Sequence, residues 1–465
     1  MARFLRSTIL ITIASLFIIA ATTVSFALEF NEESFEKYKL DLQKPRYISI
    51  SPDENIWIHF TTAENAIIAK SLKSKDKDFV INDSGKPNAS GSIWAFQKDY
   101  IYFVWREKSD DKSLVFRSLN LKDLSLSSPI VVDKDSQPLT RIKLGATEKG
   151  LVKIVWYGEK ADSKGRRYSI YSADSKDFGK SFTKTLDLTP QSRASLYPSL
   201  LVDEKGNSYM FTEVVNENGR EMIFRKDTGK GWEEPVSLGK VGVVSLYIRP
   251  LKVGNRIMVF WFNSYEGTPV TEMAYSDDEG KTWERKALEV TRGLDLTGMQ
   301  AVSGGEGQSV YLAISGVDIK VAEKDKDKKE EQEDVKKRKD TVYLLYSHDG
   351  GKTFSNLIHL RHYPYSHTRA NLPNIAARGK DLVVAWTDYR NIRSNIYMNY
   401  SKDGGITWQK EDIPLEEPGK FNTVLHWDVN NLVSLKDKYY LLCHRFKDDS
   451  MDVAYPVIIE FKIDK

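Results

Sequence analysis

The pattern Ser-x-Asp-x-Gly-x-Ser/Thr-Trp/Phe occurs four times in this chain, at Ser175–Phe182, Ser276–Trp283, Ser347–Phe354 and Ser401–Trp408. Each copy follows an apolar, alternating segment: Tyr168–Tyr171, Glu272–Tyr275, Val342–Tyr346 and Ile396–Tyr400. Alternation with a period of two marks a half-buried strand, so every copy belongs at the tip of a β-hairpin. The residue types suit a turn. The carboxylates of Asp177, Asp278, Asp349 and Asp403 can accept hydrogen bonds from the loop's N–H groups, the Gly supplies a backbone angle that other residues avoid, and the hydroxyls tie the two arms together. The aromatic, as at Trp283 and Trp408, is expected in the layer between neighbouring sheets. The motif is structural, and its recurrence in one hairpin register at a spacing of roughly 50 residues indicates an array.

The period continues outside the motif. Trp57, Trp105, Trp156, Trp261 and Trp386 lie in apolar arms that precede the hairpins, as do Ser208–Val214, Val310–Ile314 and Tyr439–Cys443. A further short strand and turn precedes each arm, from Tyr47–Asn55 in the first unit to Val429–Lys438 in the last. Degenerate turns fill the gaps: Asp227, Gly229 and Trp232 keep half the pattern, and Ser74 with Asp76 keep less. The expected fold is all-β, a propeller of four-stranded antiparallel blades, eight by this count or seven if a terminal unit is incomplete. The last unit, ending at Ile463, lacks its outermost strand, and the alternating segment Phe35–Leu42 is expected to supply it and close the ring.

The repeated turn resembles the Asp-box, or bacterial neuraminidase repeat, of sialidases and related β-propellers. The resemblance implies the fold and leaves the activity open, since one fold hosts many functions. Sialidases have six blades, so a count of eight already departs from them.

Composition agrees with one large body. In 465 residues with a formal net charge of +3, aromatics make up 11 % and no low-complexity linker separates the repeats. The exception is 322–340, almost wholly Lys, Asp, Glu and Arg, which interrupts the sixth unit between its second and third strands and reads as a solvated loop insertion. Its charges roughly cancel, so it does not indicate nucleic-acid binding, and the net charge indicates neither nucleic-acid nor membrane binding, so no membrane partner is expected beyond the N-terminal segment. At the N-terminus Arg3 and Arg6 precede the apolar stretch 9–24, and Ser25-Phe26-Ala27 offers small residues for a signal peptidase. Residues 1–27 are therefore expected to be a signal peptide, with an uncleaved anchor as the alternative, and residues 28–465 a single propeller. The lone Cys443 excludes an internal disulfide. Export without disulfides suits a bacterial periplasmic or secreted protein.

In such a ring the loops entering first strands and those joining second to third strands share one face, opposite the Asp-boxes, and a ligand site is expected there. Arg46, Arg141, Arg193, Arg249 and Arg369 come from entering loops and first strands; Arg106, Glu107, Glu159, Glu213, Tyr265, Glu266, Asp388, Tyr389 and Arg390 come from joining loops. Converging guanidinium groups suit a carboxylate, sulfate or phosphate. Arg193-Ala194-Ser195-Leu196 and Arg369-Ala370-Asn371-Leu372 look alike, and each precedes a proline, Pro198 or Pro373. Trp386-Thr387-Asp388-Tyr389-Arg390-Asn391 is similar to a turn common in bacterial Asp-box propellers, in which the Asp pairs with the Arg to shape the loop.

Sialidases hold a carboxylate with three arginines, use an Asp as acid/base and a Tyr nucleophile activated by a Glu. The resemblance would assign Arg46, Arg249 and Arg369 to the triad, Glu213 to the activating carboxylate and Tyr389 to the nucleophile. However, Pro45-Arg46-Tyr47-Ile48 keeps only the Arg of the family's Arg-Ile-Pro segment, and Asp53 falls in a turn at the opposite end of the blade. His359 and His362 alternate to opposite faces, so no metal site is expected. The absence of a Gly-rich phosphate loop and of paired Cys ligands leaves no cofactor indicated. The sequence thus points to a secreted module binding a glycan or an envelope protein. An exo-acting glycoside hydrolase of sialidase type and a cell-envelope scaffold are the alternatives.

Overall fold

The computed structural model describes residues 30–463 except 75–76, 83–88, 108–112, 140, 163–164, 243–246, 266, 305–306, 320–339, 364–367 and 428. The expected signal peptide and nearly all of the charged insertion lie outside the described residues. The described residues form eight antiparallel blades of four strands, the last with the short bridge Thr423–Val424 added beside its second strand. Blade 1 comprises Tyr47–Ile50, Ile56–Thr61, Ile67–Ser71 and Asp78–Val80, and blade 2 Ala89–Gln97, Tyr100–Glu107, Leu114–Asn120 and Ile130–Asp133. Blade 3 comprises Lys143–Ala146, Val152–Asp162, Gly165–Ser175 and Leu186–Asp187, and blade 4 Ala194–Val202, Ser208–Asn216, Gly219–Asp227 and Val236–Lys240. Blade 5 follows with Arg249–Val253, Arg256–Tyr265, Thr268–Ser276 and Glu284–Leu288, and blade 6 with Leu294–Ser303, Val310–Asp318, Thr341–Ser347 and Ile358–His359. Blade 7 is Ala370–Arg378, Asp381–Asp388, Asn395–Ser401 and Ile413–Pro414. Blade 8 takes Leu432–Leu435, Lys438–Phe446 and Ala454–Phe461 from the C-terminal end and Phe30–Ser34 from the N-terminal end.

The first strands ring the axis: from blade 2 round through blade 8 to blade 1, each touches the first strand of the next blade. The core is correspondingly divided into eight apolar clusters, one at each junction between neighbouring blades. Second strands are covered on both sides, which is why they read as apolar runs; Trp57, Trp105, Trp156, Trp261 and Trp386 occupy them with at most 2 % exposure.

The Asp-box turns form as their residue types dictate. In blade 3 Ser181 donates its N–H to Asp177 Oδ1 at 3.0 Å and its hydroxyl to Oδ2 at 2.6 Å, while Gly179 N–H donates to Ser175 Oγ at 2.8 Å. The same bonds recur around Asp278, Asp349 and Asp403. Hydrogen bonds from Ser175 and Ser181 hold the exposed Asp177 carboxyl down to about 2. Gly179 (φ 80°) and Gly280 (φ 91°) face Phe116 and Phe224 of the preceding blades, and the aromatics follow: Phe182 meets Phe116 at 4.9 Å and Trp283 meets Phe224 at 4.7 Å between centroids. Trp283 and Trp408 are partly buried against the preceding blade. The degenerate turn of blade 4 keeps the logic, with Asp227 accepting from Gly229 and Gly231 N–H and also pairing with the buried Lys153 of blade 3.

Closure differs from the sequence expectation. The strand that completes blade 8 is Phe30–Ser34, in register Phe30↔Phe461 to Ser34↔Val457, and lies upstream of the expected Phe35–Leu42. Phe35 and Leu40 instead bury their side chains between blades 8 and 1, beside Ile58, Phe60, Leu442 and Ile458. Their apolar spacing reflects this junction. Glu32 on the closing strand forms a bidentate pair with buried Arg445, at 2.5 and 2.9 Å, and Arg445 also reaches Glu416 at 2.9 Å.

Candidate functional site: the axial mouth

The face opposite the Asp-boxes is built by a recurring backbone device. At the start of the first strands in blades 3, 4, 5 and 7, a residue other than glycine adopts a left-handed conformation: Arg141 (φ 77°), Tyr197 (φ 55°), Tyr247 (φ 56°) and Leu372 (φ 58°). Tyr197 and Leu372 also precede prolines, which disfavour helical backbone angles in the preceding residue. Such conformations cost about 1–2 kcal/mol each, and the surrounding structure must over-determine them. In blades 4 and 7 the device coincides with a register shift between Leu196 and Ser199 and between Asn371 and Asn374.

Three of these residues line two adjoining cavities. The larger, of about 160 Å³, is walled by Gln43, Lys44, Tyr47, Ser92, Ile142 and His426. The smaller, of about 70 Å³, is walled by Tyr197, Pro198, Ser199, Tyr247, Ile248 and Arg249. Arg141, Lys143 and Trp427 belong to both. The guanidinium of Arg141 lies 4.8 Å from the Tyr197 ring centroid and 5.0 Å from that of Trp427, a cation held between two aromatic faces. Trp427 comes from the segment between blades 7 and 8, whereas Arg141 opens blade 3, so this contact crosses the mouth. Arg249 lies 5.9 Å from the Tyr247 ring and donates Nε–H to the Met299 carbonyl at 3.0 Å. Among the described residues no carboxylate lines either cavity, while Lys44, Arg141, Lys143 and Arg249 do.

The other residues singled out in the sequence lie elsewhere. Arg46 is buried, with Nη2 2.9 Å from His444 Nδ1, and burial pulls its guanidinium down to about 10. Arg193 is exposed and pairs with Glu217 at 3.6 Å. Glu213, fully buried, accepts from Arg220. Arg369 reaches Asp340, the last residue of the charged insertion, at 3.5 Å and lies 5.6 Å from the Tyr389 ring. Burial pushes the Tyr389 hydroxyl up, opposed by Arg369. Glu213 and Tyr389 therefore stand in blades 4 and 7 with different cations beside them.

Asp388 anchors a buried ion network. It accepts from Arg361 at two positions of 2.9 Å, from Arg390 Nη2 at 2.7 Å, from Arg390 N–H at 2.9 Å and from Trp386 Nε1 at 2.9 Å. Burial works against its ionisation, but the two arginines outweigh it and keep its carboxyl below the usual range. Arg390 also binds Asp412 at 2.5 Å and stacks on Tyr397 at 4.0 Å. The Asp-x-Arg turn is thus a brace for blade 7. His362 Nδ1 lies 3.3 Å from Asp412, His359 bonds Thr341, and among the described residues no group of three His, Cys, Asp or Glu is arranged to hold a metal.

Trp427, Tyr197 and Tyr47 were not singled out as site residues from the sequence. Tyr47 and Tyr197 stand where short strands begin in the sequence, and Trp427 stands outside the strand alternation. Its position beside His426 in an entering segment was the available signal.

A family model for the BNR/Asp-box repeat matches residues 274–285 and 400–410, two of the four turns. No curated protein matches the chain by sequence. Among solved structures, the polysaccharide lyase Uly1 aligns at 12 % identity over 94 % of this chain and 100 % of its own, with a TM-score of 0.50. The NanB sialidase of Streptococcus pneumoniae aligns at 10 % identity over 93 % of this chain and 94 % of its own, with a TM-score of 0.38. Trypanosoma rangeli sialidase aligns at 13 % identity over 73 % of this chain and 56 % of its own, with a TM-score of 0.36. At these identities the likeness concerns the fold. The protein is an Asp-box β-propeller. Within that class it is built from eight blades among the described residues.

Proposed function

We propose that this is an exported carbohydrate-binding propeller that takes an anionic saccharide at its axial mouth. The observation that carries the reading is the Arg141 guanidinium held between Tyr197 and Trp427, with Lys44, Lys143 and Arg249 around the same cavities and no described carboxylate on their walls. Tyrosine and tryptophan faces cover the apolar faces of sugar rings, and guanidinium and ammonium groups hold carboxylate or sulfate. Export rests on Arg3 and Arg6 preceding the apolar stretch 9–24. No helix among the described residues is long and apolar enough to cross a membrane.

Binding is favoured over hydrolysis because glycoside hydrolysis needs a carboxyl group beside the reacting carbon. Glu213 and Asp388, the carboxylates that the sequence placed on this face, are buried and engaged by arginines. The test is capture of acidic and neutral oligosaccharides on immobilised mature protein, beside Arg141→Ala. Acidic sugars should be retained selectively, and the variant should lose at least roughly tenfold in affinity, about 1.4 kcal/mol. Equal capture of neutral sugars, or no acidic capture, would overturn the reading. Turnover of a fluorogenic α-sialoside that vanishes in Arg249→Ala would establish the exo-hydrolase in its place.

A further inference from the structure

The mouth is divided, and the division carries information about ligand length. Going round the ring, the larger cavity spans blades 8, 1, 2 and 3, and the smaller spans blades 3, 4 and 5. Between them stand Arg141, Lys143 and Trp427, the last reaching across from blade 8 with 46 % of its surface exposed. Each compartment has its own aromatic wall and its own cation: Tyr47 with Lys44 on one side, Tyr197 and Tyr247 with Arg249 on the other. Arg141 and Trp427 line both cavities and touch at 5.0 Å, so the two compartments meet at this contact.

We infer that Trp427 makes the mouth a two-unit site: it accepts two linked sugars of an anionic chain, one in each compartment, with the linkage passing beside Arg141 and Trp427. This rests on the saccharide reading above and adds ligand length to it. A monosaccharide in either compartment meets one wall, one outer cation and the shared Arg141–Lys143 pair. A disaccharide meets both walls, both outer cations and the shared Arg141–Lys143 pair. Affinity therefore rises steeply from one unit to two and little from two to four, because further units extend beyond the described cavities.

The experiment is calorimetric titration of the mature protein with galacturonic acid and its α-1,4-linked dimer and tetramer, and with chondroitin sulfate di- and tetrasaccharides as sulfated probes. The expected result is a gain of at least roughly tenfold from one galacturonate to two, and less than about threefold beyond two units in either series. Trp427→Ala should flatten the first step by merging the compartments, Trp427→Phe should retain it, and both should melt like the parent because this side chain is half-exposed. Equal affinity for one and two units, an even rise up to four, or an unchanged step in Trp427→Ala would overturn the inference and leave the saccharide reading standing. Binding of neither series would overturn both.

Discussion

Arg141 shows how a single residue can serve the site against its own conformational preference. Its left-handed backbone aims the guanidinium between Tyr197 and Trp427. Relative to Arg141→Ala, Arg141→Gly should therefore be more stable by about 1 kcal/mol in denaturant melts, while both lose acidic-saccharide capture. Equal stability of the two would show that the backbone there is not strained. His59 is a second case. It is fully buried among Tyr47, Trp94 and Phe103, neither ring nitrogen has a hydrogen-bond partner among the described residues, and burial pushes its imidazole down to about 3. Between that value and the unfolded ~6.5, the unfolded chain binds a proton that the folded chain refuses, so stability falls as pH drops below ~6.5 and recovers above it. His444, also shifted down by burial and by Arg46, acts in the same direction. The slope of stability between pH 6.5 and 4.5 should be shallower in His59→Leu; an identical slope would rule His59 out. At this scale the sequence was partly legible. Arg141 and Arg249 could be placed by their distance from a strand start, because the path from loop to strand is local. Trp427 could not, since its role depends on a partner across the ring, and no local pattern encodes that distance.

The hairpin is the element in which sequence and structure agree most closely, because everything that defines an Asp-box lies within eight consecutive residues. Its aromatic connects it to the rest of the protein. Trp283 and Trp408 are only partly buried, so Trp283→Ala and Trp408→Ala should each cost about 3 kcal/mol, the low end for removing a large core aromatic. Chemical denaturation would measure this, and a loss below about 1 kcal/mol would show that the rings do not join the blades. The closing strand is the opposite case. Phe30–Ser34 carries Asn31, Glu32, Glu33 and Ser34, has no apolar alternation, and pairs on the open edge of Ala454–Phe461. A strand covered by one neighbour needs few apolar residues, so it left no periodic signal. The signal at Phe35 and Leu40 came from the junction beneath it.

For the whole molecule, the count of eight is set by the eight junction clusters, of which the junction between blades 8 and 1 joins the two ends of the chain. The sequence left seven open because the last blade is assembled from both ends. Glu32 connects this closure to the ion pairs of blade 8, and its removal leaves Arg445 with Glu416 as its one carboxylate partner among the described residues, beside Thr423. Glu32→Ala should destabilise by about 1–2 kcal/mol, less than a fully buried pair because Glu32 is partly exposed and Glu416 remains. Thermal melting would detect it, together with faster hydrogen exchange confined to blades 8 and 1; an unchanged melt would show that the pair adds nothing to closure. The register of that strand also fixes a mechanical property. Phe30 lies opposite Phe461, so the chain enters the closing strand and leaves the last strand at the same end of the blade. A force that separates these two residues loads the inter-strand bonds one after another, as a zipper is opened, instead of shearing all five pairs at once. A ring held by eight apolar junctions would therefore yield at low tension when pulled from Phe30 and Phe461, beginning at blade 8.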